Sequence, residues 1–158
     1  MATLILLRHA KSDWSGGEPD PDRPLARRGR RQAAESGRWL AGNVADIALA
    51  VVSPTVRTRD TWAIVAAELG DPPQVQVDDR VYAASGEELL EVVHGLADDV
   101  GTAVLVGHIP GVEEVLELLT GQWVRMPTSA IAVIDLAGAW ASAGDGAAVV
   151  RASGRPPG

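Results

Sequence analysis

Three short apolar runs in this chain each stop abruptly at polar residues of a particular kind. Leu4 to Leu7 runs into Arg8-His9, Ile47 to Val52 runs into Ser53-Pro54-Thr55-Val56-Arg57, and Ala103 to Val106 runs into Gly107-His108-Ile109-Pro110. Continuous aliphatic runs of this length are what strands buried on both faces require. In an open α/β sheet, ligands bind in the crevice at the carboxyl ends of the strands. A sheet built from these runs therefore has Arg8, His9, Arg57 and His108 at its binding end. Two guanidinium groups and two imidazoles together read as an anion site that also holds a nucleophile.

Helical periodicity fills the intervals. Residues 28–42 place Ala33, Ala34, Gly37, Leu40 and Ala41 on one face, and residues 55–69 place Trp62, Val65, Ala66 and Leu69 at i, i+3, i+4 and i+7. Residues 86–99 and 111–119 repeat the pattern with Leu89, Leu90, Val93, Leu96 and with Val112, Val115, Leu116, Leu119. Strands are predicted at 3–7, 47–52, 75–77, 103–107, 130–136 and 147–152. Alternation of this kind predicts a single-domain, three-layer α/β/α fold with a mainly parallel sheet. The last two strands lack an intervening helix, so the sheet has an antiparallel edge. The domain is expected to span residues 1–152, with 153–158 as a disordered tail.

Composition narrows the function classes. The 158 residues hold no Cys and no Phe, so the core must be aliphatic with help from some of the five Trp, and no thiolate metal site exists. The net charge is −7, a poor match for nucleic acid. No run is long enough to cross a membrane and no leader is evident, so a cytoplasmic protein is expected. His, Asp and Glu show no ligand-like spacing, so no metal and no cofactor is expected. Positive charge is nonetheless concentrated at Arg23, Arg27, Arg28, Arg30, Arg31 and Arg38. This reads first as a solvated helix face and second as a docking patch for an acidic or phosphorylated partner. Residues 13–24 form a polar loop with three Pro and four Asp or Glu, directly after Arg8-His9, and should border the site.

Taken together, Arg8-His9-Ala10-Lys11-Ser12-Asp13-Trp14, Arg23-Pro24-Leu25-x-x-x-Gly29, Ser53-Pro54-x-x-Arg57-x-x-x-Thr61, Gly107-His108 and Thr128-Ser129-Ala130-Ile131 resemble the histidine phosphatase superfamily, which includes the cofactor-dependent phosphoglycerate mutases. The compact length looks most like its SixA-type branch of phosphohistidine phosphatases. The resemblance implies that His9 is the phosphorylated nucleophile, that Arg8 and Arg57 bind the phosphoryl group, and that His108 is the second histidine of the pocket. It also implies a phosphorylated partner, either a histidine-phosphorylated protein or a small phosphorylated substrate.

The chain departs from the family pattern at several points. Ala10 stands where Gly is common, which is tolerable only with ordinary backbone dihedrals. Ser15 stands where an Asn often supports the phosphate, and is carried as a substrate-binding candidate. Ala26 replaces a capping Ser or Thr. The stretch Val81 to Gly86 offers no carboxylate where mutases place a general acid, and Glu87 and Glu88 read as first-turn helix residues. Trp14 and Trp123 read first as packing residues and second as lining the site. The function expected is a phosphatase working through a phosphohistidine at His9 on phosphohistidine carried by a protein. Its rivals are a phosphatase of a small metabolite and a non-catalytic phosphoprotein-binding module.

Overall fold

A computed structural model describes residues 2–158. Six strands form one sheet: β1 (Thr3–Arg8), β2 (Leu49–Val52), β3 (Gln74–Val77), β4 (Thr102–Gly107), β5 (Ile131–Asp135) and β6 (Val149–Gly154), in the order β3-β2-β4-β1-β5-β6. The first four in that order run parallel, and β5 and β6 pair antiparallel at one end. Four helices connect them: α1 (Arg27–Asn43), α2 (Val56–Ala67), α3 (Gly86–His94) and α4 (Gly111–Thr120). The expected three-layer architecture and its antiparallel edge are both present.

Alternation within each apolar run explains the layering. Ile5, Leu7, Ala50, Val52, Val104 and Val106 face Ala33, Leu40, Trp62 and Val65 of α1 and α2. Their neighbours Leu4, Leu6, Val51 and Leu105 face Leu89, Val93, Val115, Leu116 and Leu119 of α3 and α4. Successive strand side chains point to opposite faces, so an unbroken aliphatic run supplies both layers at once. Each such side chain taken from water contributes roughly 1.5–3 kcal/mol. The aromatic share falls to Trp62 and to Trp140, whose indole Nε1 donates to the Val100 carbonyl at 2.8 Å.

Boundaries differ from expectation by two residues at the start of β2 and at the end of α2, and more tellingly at two other places. Helix α3 stops at His94 rather than residue 99, with Gly95 at its cap, a residue that gains little from remaining helical. Strand β6 begins two residues later than predicted and runs on to Gly154, two residues into the segment expected to be tail. The Ala/Gly-rich stretch before it has no alternation to mark its start.

Helix α1 is set against the segment leaving β1. The Ala26 N–H donates to the Lys11 carbonyl at 2.9 Å, in place of a side-chain cap. A Cβ at Gly29 would collide with that same Lys11 carbonyl, whereas one at Gly42 in the same helix would meet nothing. Alanine normally stabilises a helix relative to glycine by roughly 0.5–1 kcal/mol. Gly42→Ala should follow that rule in urea unfolding. Gly29→Ala should reverse its sign and destabilise by about 1–3 kcal/mol, because the clash falls on backbone that cannot rotate away.

Candidate active site

Strand register assembles the site. Arg8 pairs across from Gly107, and Val52 pairs across from Val106, so β2, β4 and β1 end level with one another. The residues that follow, Ser53, His108 and His9, emerge side by side. The His9 N–H extends the ladder by donating to the Gly107 carbonyl at 3.1 Å. The His9 and His108 rings lie 5.3 Å apart between centroids. Arg57 arrives from the first turn of α2, where Thr55 caps the helix by accepting from the Thr58 N–H at 3.3 Å.

The orientation of His9 follows from one contact. Its Nδ1 lies 2.8 Å from the Ala10 carbonyl, which can only accept, so Nδ1 carries the hydrogen. In the neutral ring that leaves a free lone pair on Nε2. Burial, reinforced by His108, Arg57 and Arg8, lowers the His9 pKa to about 3. The ring is therefore neutral at neutral pH, as a nucleophile requires. His108 is lowered to about 4, chiefly by burial and then by Arg57, and its Nε2 sits 2.8 Å from Ser53 Oγ.

The surrounding backbone is tied down. The Ala10 N–H donates to Thr61 Oγ1 at 2.9 Å, and Thr61 Oγ1 in turn donates to the Arg57 carbonyl at 2.6 Å. The Ala10 φ is not positive, so its Cβ is accommodated. Ser129, held at a φ of 61°, donates its N–H to the His9 carbonyl at 3.0 Å. Arg8 Nη1 donates to the Met126 carbonyl at 3.1 Å, and the Met126 N–H donates to Glu113 Oε2 at 2.8 Å. Burial lowers the pKa of the Arg8 guanidinium, and Glu113 opposes that shift.

Arg8, His9, Arg57 and His108 thus come together. Among the described residues, the buried side-chain nitrogens with no hydrogen-bond partner are Arg8 Nε, Arg57 Nε, His108 Nδ1 and Trp62 Nε1. Three of these four belong to the cluster. Buried donors are ordinarily satisfied, so their concentration here marks a place prepared for a ligand with several acceptor oxygens. Ser15 is not joined to the cluster. It is exposed, and its hydroxyl donates to Asp13 Oδ1 at 2.6 Å.

The structure adds a residue that sequence reasoning passed over. Asp20 lies in a short turn of 3-10 helix, Asp20–Asp22, within the loop that follows β1. Its Oδ2 accepts from Arg57 Nη2 at 3.0 Å and from the Tyr82 hydroxyl at 2.7 Å, while its Oδ1 accepts from Arg23 Nη2 at 3.0 Å. The Asp20 carbonyl accepts from Arg57 Nη1 at 2.7 Å. The Tyr82, Arg23 and Arg57 hydrogen bonds hold the Asp20 carboxyl well below the usual carboxylate range, and the Asp20 contact raises the Tyr82 phenol. Arg23, counted with the basic helix face from sequence, is instead buried here and also bonds Ser12. The other arginines of that group lie exposed on α1. Trp14 and Trp123 do not pack as expected: they are 69% and 60% exposed, and Trp14 carries the Arg23 guanidinium 3.6 Å above its ring.

The family model of the histidine phosphatase superfamily (branch 1) matches residues 4–97. The chain belongs to that superfamily. The matched span contains Arg8, His9 and Arg57; His108 lies beyond it and is joined to them by β-sheet register. An uncharacterised Mycobacterium tuberculosis protein is 34% identical over 155 residues, covering 91% of this chain and 96% of its own. A solved Nakamurella multipartitia structure, provisionally described as the phosphohistidine phosphatase SixA, is 30% identical with a TM-score of 0.85, covering 97% of this chain and 95% of its own. The protein histidine phosphatase SixA, solved with tungstate, shares the fold at 22% identity and a TM-score of 0.82, covering 96% of this chain and 95% of its own. Within the superfamily, the likeness is to the SixA-type branch.

The two depressed imidazoles make stability depend on pH. Folded His9 and His108 resist protonation down to about 3 and about 4, whereas in the unfolded chain both take protons near ~6.5. Below that value the unfolded state binds more protons, so stability is complete above it and drains away as the pH falls toward 4. By pH 5 the loss should be on the order of 1–2 kcal/mol per histidine. Urea unfolding at pH 7.5 and 5 measures it, and His108→Gln should shrink the difference. An unchanged unfolding free energy across that range would contradict two buried neutral rings.

Proposed function

We propose that this protein is a phosphatase that works through a phosphohistidine on His9, and that its substrate is phosphohistidine carried by a protein. The observation that carries this reading is the free Nε2 lone pair of a neutral His9 set among the unpaired nitrogens of Arg8, Arg57 and His108. In the first step His9 Nε2 attacks phosphorus, a new P–N bond forms, and the P–N bond to the substrate imidazole breaks. The departing imidazole takes its proton from solvent. Water then attacks the phosphoryl group on His9, releasing inorganic phosphate and restoring the ring. Arg8 and Arg57 carry the charge of the equatorial oxygens, which is most of what phosphoryl transfer needs from a protein. The SixA neighbour bound tungstate, an oxyanion, and an oxyanion is what this cluster of donors suits. The reading places the enzyme in the cytoplasm, with no cofactor or metal.

The leaving group decides between a protein phosphohistidine and a small sugar phosphate. Glu88, one of two carboxylates near the position of the missing acid, is committed to its helix: its Oε1 accepts from the Ser85 N–H at 2.9 Å in a capping box. Asp20, the carboxylate that does reach the arginines, is ionised and holds no proton to give. Expelling an alkoxide without an acid forfeits roughly 10²–10⁴ in rate, whereas imidazole leaves readily. In a turnover assay, a histidine-phosphorylated protein and aryl phosphates should be hydrolysed and sugar phosphates hardly at all. A flat dependence of kcat/KM on leaving-group pKa would overturn this reading.

Three variants test the residues. An acid-labile, base-stable label should form on the wild type during turnover and not on His9→Ala. Arg57→Ala should lower kcat by about 10²–10³, the usual loss for one transition-state contact. Arg27→Ala, on the exposed face of α1, should leave activity near the wild-type level, and chelator should not reduce turnover.

A further inference from the structure

Asp20 occupies Arg57, one of the two arginines that a phosphoryl group would need. Both terminal nitrogens of Arg57 are engaged by this one residue, through its carboxylate and its own carbonyl, and Arg23 and Tyr82 complete the hold. Arg57 is buried and fixed by α2, with a side chain only 6% exposed. The Asp20 side chain is 46% exposed, and the Asp20–Asp22 turn buries no residue in the core. One partner is thus anchored and the other is held by these side-chain contacts. A carboxylate and a multiply charged phosphoryl group cannot share Arg57 without strong mutual repulsion.

We propose that Asp20 is an internal occupant of the anion site, which an incoming phosphoryl group must displace and which weakens the hold on free inorganic phosphate. The inference rests on the anion site proposed above and adds the residue that tunes it. A phosphoryl group presented on a protein brings contacts beyond the arginines and can drive the exchange. Inorganic phosphate, which is also the product, brings none and is left weakly bound. When product forms, return of the Asp20 carboxylate to Arg57 and Arg23 helps to expel it. A ligand that binds only the displaced state has its apparent affinity reduced by the population of that state. A displaced fraction of about one tenth therefore weakens phosphate about tenfold.

The experiment is calorimetric titration of orthophosphate, and separately of tungstate, into the wild type, Asp20→Asn, Asp20→Ala and Tyr82→Phe. Both Asp20 variants should bind these anions about tenfold more tightly. Tyr82→Phe, which removes one donor to the carboxylate, should move in the same direction by a smaller factor. Product inhibition by phosphate should deepen in parallel. Unchanged or weaker anion binding in Asp20→Ala would overturn the proposal and make Asp20 a scaffold for Arg57. A steeper leaving-group dependence in Asp20→Asn with unchanged phosphate affinity would overturn it in favour of proton donation. Anion titration uses no phosphorylated substrate, so it reads the Asp20 exchange even if the protein proves inactive on phosphohistidine.

Discussion

Parallel pairing of β1 with β4, in register from Thr3 opposite Thr102 to Arg8 opposite Gly107, is the constraint from which the remaining geometry follows. A slip of one residue would turn Leu4 and Leu6 toward α1 and α2 and Ile5 and Leu7 toward α3 and α4. It would also carry His9 past His108. Because all four leucine and isoleucine side chains are fully buried, the core resists such a slip along the whole strand. The 5.3 Å spacing of the two imidazoles is thus enforced by apolar packing that never touches them. Placing reactive groups at the ends of rigid strands, rather than in mid-loop, is how precise geometry is retained.

That placement has an electrostatic consequence. Two imidazoles are buried beside two guanidinium groups, so the rings shed their protons. The positive charge that results is only partly answered from within. Asp20 answers Arg57 and Arg23 from the exposed side, and the Met126 carbonyl answers Arg8 from beneath. The Nε of each arginine in the cluster is left unpaired. Elsewhere in the described chain, only Trp62 leaves a buried nitrogen in that condition. Unmet donors are destabilising in the free protein, and meeting them is a source of binding free energy for an oxyanion.

How much of this was legible in the sequence depends on the range of the contact. Strands β1, β2 and β4 were readable because an apolar run that ends in Arg-His, Ser-Pro or Gly-His is a local pattern, and the helices because their periodicity is local too. Arg8, His9, Arg57 and His108 could be placed at one end of the sheet for the same reason. Asp20 could not. Its contacts with Arg57 and Tyr82 span 37 and 62 residues, and its loop has no periodicity from which direction could be inferred. The only hint was the spacing of Asp20 and Arg23, which lie three apart and form an ion pair. Trp14 and Trp123 misled for a related reason: size and hydrophobicity argue for burial, but both sit on loops and stay largely exposed, Trp14 covered only by the Arg23 guanidinium. The start of β6 escaped notice because Ala and Gly lack the alternation that marks a strand.

The two halves of the segment after β1 are held in different ways, and that difference bears on how the site works. Near His9 the backbone is fixed by its own hydrogen bonds: His9 to Gly107 and Ser129, Ala10 to Thr61, and Lys11 to Ala26. Ala10 adds a methyl group to the core with Leu7 and Leu25 instead of loosening the chain. Farther on, the Asp20–Asp22 turn contributes nothing to that core and is held to the site through charged side chains. A nucleophile must meet phosphorus along one line, so its backbone benefits from being over-determined. A group that has to yield to the ligand needs the opposite: contacts that are electrostatic, exposed and exchangeable for those of another anion. The polar, proline-broken composition of residues 13–24 suits the second task as closely as the apolar run before His9 suits the first.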